Sequence, residues 1–183
     1  MHKLRTVTRL TSASKIKFYT KKPDSDVPAK AISRYADAEM RKIMPKQIDD
    51  NCIFCKIANG QIPSSSIYED DDFKVIMDIN PASRGHAIIL PKNHAANLFE
   101  LPQDDASKIL GVAQKCAAAM KKTLHYTGIN LLQNNGESAG QTVFHLHMHL
   151  IPRYDDDTVN ITWVPNENPD DPAALAEQIR KNF

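Results

Sequence analysis

The chain is poor in cysteine, has no charge excess and contains no long apolar run. Three cysteines in 183 residues, two of them in "CIFC" at 52–55, cannot build a disulfide framework. A close CxxC pair in such a chain points to a metal or redox site, with a reduced pair of buried thiols as the plain alternative. Lys and Arg total 23 against 22 Asp and Glu, so the formal net charge is +1. A whole-molecule field that would draw in nucleic acid or an acidic membrane is therefore not expected. No apolar stretch approaches the roughly 20 residues that span a bilayer. What remains is a soluble globular protein, long enough to bury a real core in one domain with additions.

Acid is missing altogether from the first 22 residues, which carry Lys3, Arg5, Arg9, Lys15, Lys17, Lys21 and Lys22. That basic, hydroxyl-rich composition fits a mitochondrial transit peptide. It also fits a basic tail, or upstream sequence ahead of a later start at Met40 or Met44, in which case the cytoplasm is the expected address. Ile32, Tyr35, Ala36, Met40 and Ile43 could share one side of a short helix ending before Pro45. The organisation expected is an extension over 1–50, a compact domain over 51–155 and a C-terminal tail with a closing helix over 156–183.

Within the compact part, "SIYED" (66–70) and "FKVIMDI" (73–79) read as a hairpin, and "GHAIILP" (85–91) as a third strand. Ile109, Ala113, Cys116, Met120 and Leu124 recur at helical spacing, with a companion row at Leu110 and Ala117. Cys116 belongs to that apolar row and reads as core. "INLLQ" (129–133) and "VFHLHMHLI" (143–151) complete the strands. Hairpins outnumber strand–helix–strand units, so an α+β fold with a mostly antiparallel sheet is expected.

The last of these strands carries the chemistry. Alternation would put His145, His147 and His149 on one face and Phe144, Leu146, Met148 and Leu150 on the other, toward the core. Neighbouring histidines would then stand about 6.6 Å apart and the outer two about 13 Å. Two could grip one metal ion but three could not, so a functional row must divide its labour. Imidazole, with a reference pKa of about 6.5, can be nucleophile, proton carrier or ligand near neutrality. The preceding loop, residues 134–142, offers Gly136 and Gly140 for turns that aim backbone N–H groups at an anion, with Asn134, Gln141 and Thr142 beside them. Standing alone, such a loop is an ordinary hairpin turn, His86 and His94 are a core and a surface histidine, and Asp78 is a turn former.

Taken together, "HLHMHLIPR", "CIFCKIANGQIPSSSIYEDDDF", "DINPASRGHAIILPKNH" and "QNNGESAGQTVFH" resemble the histidine-triad (HIT) family of nucleotide hydrolases and transferases, from about Cys52 to Tyr154. The resemblance implies a homodimer whose subunits each contribute a five-stranded antiparallel sheet and a helix. It implies His147 as nucleophile on an α-phosphate, His149 as phosphate ligand and proton carrier, and His86 completing the cluster. Asn134, Gly140, Gln141 and Thr142 match phosphate-contacting positions, Asp78 the ribose acceptor, and Ile53, Phe54, Ile57 and Ile79 the walls around the base. Cys52, Cys55, His94 and His145 match the structural zinc ligands of metal-bearing members. Asn134 favours the phosphoramidase branch, which implies cleavage of adenosine 5′-phosphoramidate to AMP. Position 142 is often serine in that branch, and threonine adds a methyl. Dinucleoside polyphosphate hydrolysis and nucleotide binding with little turnover are the alternatives.

Overall fold

The computed structural model describes residues 46–166 and 170–183; the basic leader and the helix expected near 32–43 lie outside the described residues. In chain order the elements are α1 (Ile53–Ala58), β1 (Ser66–Glu69), β2 (Phe73–Met77), β3 (Ala87–Pro91), α2 (Gln103–Leu124), β4 (Gly128–Leu132), β5 (Met148–Arg153) and α3 (Pro172–Arg180). The five strands form one sheet in the order β1-β2-β3-β5-β4, and every neighbouring pair is antiparallel. The expected five-stranded α+β architecture is therefore present. Among the described residues no helix is long and apolar enough to cross a membrane.

The hairpin between β1 and β2 turns where the Asp70 carboxylate accepts N–H bonds from Asp72 and Phe73 at 2.9 and 2.7 Å, a side-chain turn that only a short acceptor can make. From there the sheet is covered on both faces, which is why β2 and β3 read as near-continuous apolar runs. Phe73, Val75, Ala87, Ile89, Leu146 and Leu150 pack with Ile109, Val112, Ala113, Cys116 and Met120 of α2. Ile76, Ile88 and Leu90 point the other way, onto Phe54, Ile57 and Ala58 of α1. The α2 stripe is narrower than the sequence suggests. Leu110 is 60 % exposed, because it sits about 100° around the helix from Ile109, and Val112 takes the place of that second row.

The larger difference concerns β5. It begins at Met148 rather than Val143. Upstream, the Leu146 N–H leaves the ladder and donates to the carbonyl of Ala95 at 2.7 Å. The histidines are not a solvated face either: His145 is 0 % and His147 8 % exposed, whereas Phe144, assigned to the core, is 48 % exposed. Alternation does hold for Leu146 and Leu150. The layer formed by α1 is what turns the histidine side into an interior, and a single strand's pattern carries no sign of that cover. The C-terminal helix α3 forms as expected, capped by Asp171 with Pro172 at its first position, and buries no residue.

Gly85 connects β2 to β3 with φ 88°, and a Cβ at this position would collide with the Leu124 side chain. The turn and the docking of the α2 C-terminus therefore both depend on its bare backbone. Gly85→Ala is expected to destabilise the domain by at least about 1–2 kcal/mol from backbone strain alone. Denaturant unfolding of the two proteins checks this, and equal midpoints would refute it.

Candidate active site

The site lies on the α1 side of the sheet, where β3 and β5 run side by side. Ile88 pairs with His149 in the register, and the chain just before β3 brings His86 alongside. Three backbone groups, none of them distinguishable in the sequence, assign the ring tautomers through donor and acceptor roles. The Ala82 N–H donates to His86 Nδ1 at 3.0 Å, so a neutral His86 carries its proton on Nε2. That Nε2–H donates to His149 Nδ1 at 2.9 Å, which leaves the proton of a neutral His149 on its own Nε2. His147 Nδ1–H donates to the carbonyl of His145 at 2.7 Å, so the Nε2 of a neutral His147 ring keeps its lone pair. The rings of His147 and His149 stand edge to face, with centroids 5.0 Å apart. A nitrogen with a free lone pair and an N–H donor thus belong to adjoining rings.

Burial disfavours charge on two of these rings. Burial pushes the His149 pKa down to about 4, aided by the neighbouring His147 and His86 and opposed by Asp78. Burial likewise lowers His86, with Asp78 acting against it. The Asp78 carboxylate is 3.6 Å from His86 Nε2 and accepts the Asn80 N–H at 2.8 Å. Asp78, His86 and His149 cluster closely enough to hold an ion. The lone pairs of the two imidazoles, however, are spent along the Ala82–His86–His149 chain, so a hydrogen-bonded chain describes these rings better than a ligand set.

Next to His147 is a second cluster. The donor atoms of Cys52, Cys55, His94 and His145 all lie within 4.8 Å of one another. His145 Nε2–H donates to the Pro91 carbonyl at 3.0 Å, which turns its bare Nδ1 toward Cys52 and Cys55, each 3.4 Å away. His94 Nδ1 is 3.3 Å from the Cys55 sulfur. Without a metal, burial drives the Cys55 thiol up to about 11 and lowers His145 to about 4. Two sulfurs and two imidazole nitrogens fit a tetrahedral zinc ion with no open position, and a carbonyl fixing the far nitrogen of a ligand histidine is the usual outer support.

The loop over 134–142 differs from the expected anion cradle. The N–H groups of Ala139 and Gln141 donate to the Gly136 carbonyl, and that of Gly140 to Glu137. Gln141 is 3 % exposed; its amide takes the Gly136 N–H and gives both of its own to Ala96 and Val143 carbonyls. Gln141 thus staples the loop, and those amides are not aimed at a ligand. The reason is local: a three-residue 3₁₀ turn over Glu137–Ala139 closes on itself. Thr142 is exposed, Asn134 is half-buried, and the Asn134 amide nitrogen lies 3.7 Å from the position a Cβ on Gly140 would take. Phe54 stands edge-on to His147, with centroids 5.1 Å apart, and Ile57 is half-buried beneath it. Ile53 and Ile79 are 52 % and 100 % exposed, so the structure does not gather them into the same wall. Pro91, Ala82 and Asn93 escape sequence reasoning, because the first two act through backbone atoms. Asn93 acts through distant partners, accepting from Gln47 and donating to buried Asp105.

Residues 59–156 match the HIT domain family, more than half of the chain. This chain belongs to the HIT family. An adenosine 5′-monophosphoramidase of Saccharomyces cerevisiae is 39 % identical over 126 residues, 69 % of this chain and 77 % of that protein. The crystal structure of a HIT family protein from Bacillus anthracis is 43 % identical and aligns over 73 % of this chain and 98 % of that one, with a TM-score of 0.68. A zinc-bound histidine triad protein from Mycobacterium smegmatis is 38 % identical over 63 % of this chain and 84 % of that one, with a TM-score of 0.58. In this HIT protein the CxxC pair precedes the matched span, so the candidate metal cluster draws on residues outside it.

Buried neutral histidines make stability depend on pH with a definite sign. Unfolded imidazoles bind protons near pH 6.5, while His149, and His145 in the metal-free protein, do so only near 4. Between those values the unfolded chain holds more protons. Stability should therefore be complete above about pH 6.5 and fall as the pH drops toward 4. Thermal unfolding across that range measures it, and His149→Gln should flatten the descent; an unchanged profile would refute the assignment.

Proposed function

We propose that this protein is a nucleotide hydrolase that cleaves the P–N bond of adenosine 5′-phosphoramidate-like substrates, releasing AMP and the amine. The observation that carries the proposal is the 2.7 Å bond from His147 Nδ1–H to the His145 carbonyl, which leaves Nε2 of the neutral ring free to attack. In the first step Nε2 bonds to the α-phosphorus in line with the leaving nitrogen, and the P–N bond breaks. The leaving nitrogen needs a proton; the His149 Nε2–H and the Thr142 hydroxyl are the donors assigned to it. Water then attacks the nucleotidyl-histidine and gives one proton back to the group that protonated the leaving nitrogen; the P–Nε2 bond breaks, and His147 recovers its lone pair.

His149 stays neutral for this work because burial opposes its charging, so it can donate to a phosphate oxygen without a net charge of its own. Asn134, Thr142 and the turn at Gly140 are assigned to the phosphate, with Gln141 holding that loop in shape. Asp78 is assigned to the ribose hydroxyls, and Phe54 and Ile57 to the base, with Ile53 and Ile79 at its open rim. An adenine nucleotide is favoured because relatives of this chain are named as adenosine 5′-monophosphoramidases. Cys52, Cys55, His94 and His145 are assigned to one structural zinc ion, outside the bond-breaking steps because four protein ligands complete its shell. A homodimer is assigned as well; among the described residues no strand pairs with the outer edge of β4, a surface suited to a second copy. The cytoplasm is the address proposed, or the mitochondrion if residues 1–22 are cleaved, which the mass of the mature N-terminus decides.

Two measurements test the reading. A nucleotidyl-histidine should be trapped during turnover and be absent in His147→Ala, whose kcat should fall on the order of 10⁴-fold or more; full activity in that variant would end the proposal. Adenosine phosphoramidate should give a higher kcat/KM than a diadenosine polyphosphate, and a reversed preference would move the assignment to polyphosphate hydrolysis. For the metal, cobalt substitution should yield the absorption of a tetrahedral S₂N₂ site, and chelation should lower the Tm.

A further inference from the structure

The segment that carries the nucleophile is not part of the sheet. Residues 145–147 precede β5, and their order comes from elsewhere. The Leu146 N–H bonds to the Ala95 carbonyl, and His145 Nε2–H bonds to the Pro91 carbonyl. Both acceptors flank His94, itself a member of the four-donor cluster. Between the two cysteines of that cluster sits Phe54, on a helix of only six residues, far too short to be stable by itself. Its ring is edge-on to both His145 and His147, with centroids 6.0 and 5.1 Å away.

Resting on His147 as the nucleophile, we infer that the Cys52–Cys55–His94–His145 cluster is a positioning device for the His147 ring, acting through the His145 carbonyl and the Phe54 side chain. Residue 145 has two ends. Its imidazole faces the cysteines, and its carbonyl receives the His147 Nδ1–H. A backbone rotation at residue 145 moves both ends together, so holding the imidazole in the cluster also restrains the carbonyl that selects the tautomer of His147. Phe54 supplies the second route, because the α1 turn that spaces the two sulfurs also sets the ring against the nucleophile. Ligation of the four donors therefore orders two otherwise weakly held segments, 52–58 and 145–147, at the place where in-line attack needs the least angular freedom. His86, tied to Ala82 and His149, is not in ring contact with any member of the cluster.

The test uses the full chain with ¹⁵N-labelled histidine, loaded with zinc and then treated with a chelator. The zinc-loaded protein should show His147 as a single tautomer protonated at Nδ1. Removal of zinc should shift its ring nitrogens toward a mixture of tautomers and quicken exchange of the Leu146 amide roughly tenfold or more, while amides of the β2–β3 ladder hold. Unchanged His147 signals in protein shown to be zinc-free would overturn the inference. Where chelation unfolds the domain, Phe54→Leu replaces it, since all four donors remain. That variant should bind zinc, move the His147 ring signals and lose kcat roughly tenfold, with KM within about twofold. A raised KM with kcat and ring signals intact would mean that Phe54 only lines the base pocket, and would overturn it. The ring readout needs no turnover, so full activity in His147→Ala would defeat the nucleophile assignment without touching this result.

Discussion

The hydrogen bond from His147 Nδ1–H to the carbonyl of His145, two residues away, is the constraint on which the rest of the site depends. A free imidazole exchanges its proton between two nitrogens. Only a fixed acceptor on one side gives the other a permanent lone pair. The acceptor here is a backbone carbonyl, which cannot titrate and cannot leave. Its direction is set by where residue 145 lies, and that in turn by Pro91, Ala95 and the cysteines. A side-chain acceptor would have brought a charge and rotameric freedom into the same place.

Neutrality is the second organising feature. Three histidines within ring contact would repel one another if protonated, and burial already disfavours charge at His86 and His149. A single carboxylate, Asp78, partly offsets this without reversing it. The histidines form a directed chain, Ala82 to His86 to His149, ending in an N–H donor on the ring next to His147.

The chain's pattern made part of this legible. Continuous apolar runs at 73–77 and 87–91 and the helical row from Ile109 to Met120 are local signals of burial, and each formed the element expected. The CxxC pair and the alternating histidines were visible as residue types suited to ligation and acid–base work. The burial of the histidines is not legible there, because the cover over their side comes from α1, and the strand starts only at Met148, with the Leu146 N–H bonded to the Ala95 carbonyl. The anion cradle was misjudged similarly: glycines allow inward amides, but Gln141 and the 3₁₀ turn had already used them.

By itself, then, the sequence determined the sheet, its helix and the inventory of reactive groups, since these follow from periodicity and from chemistry that each residue carries wherever it sits. The tertiary structure decided which nitrogen of each histidine holds the proton, which face of β5 is interior, and that Cys52, Cys55, His94 and His145 meet. Those outcomes rest on backbone carbonyls and amides at Pro91, Ala82, Ala95 and His145, groups every residue possesses. Only folding distinguishes one of them from another, by bringing it within hydrogen-bond reach of a ring far away in the chain.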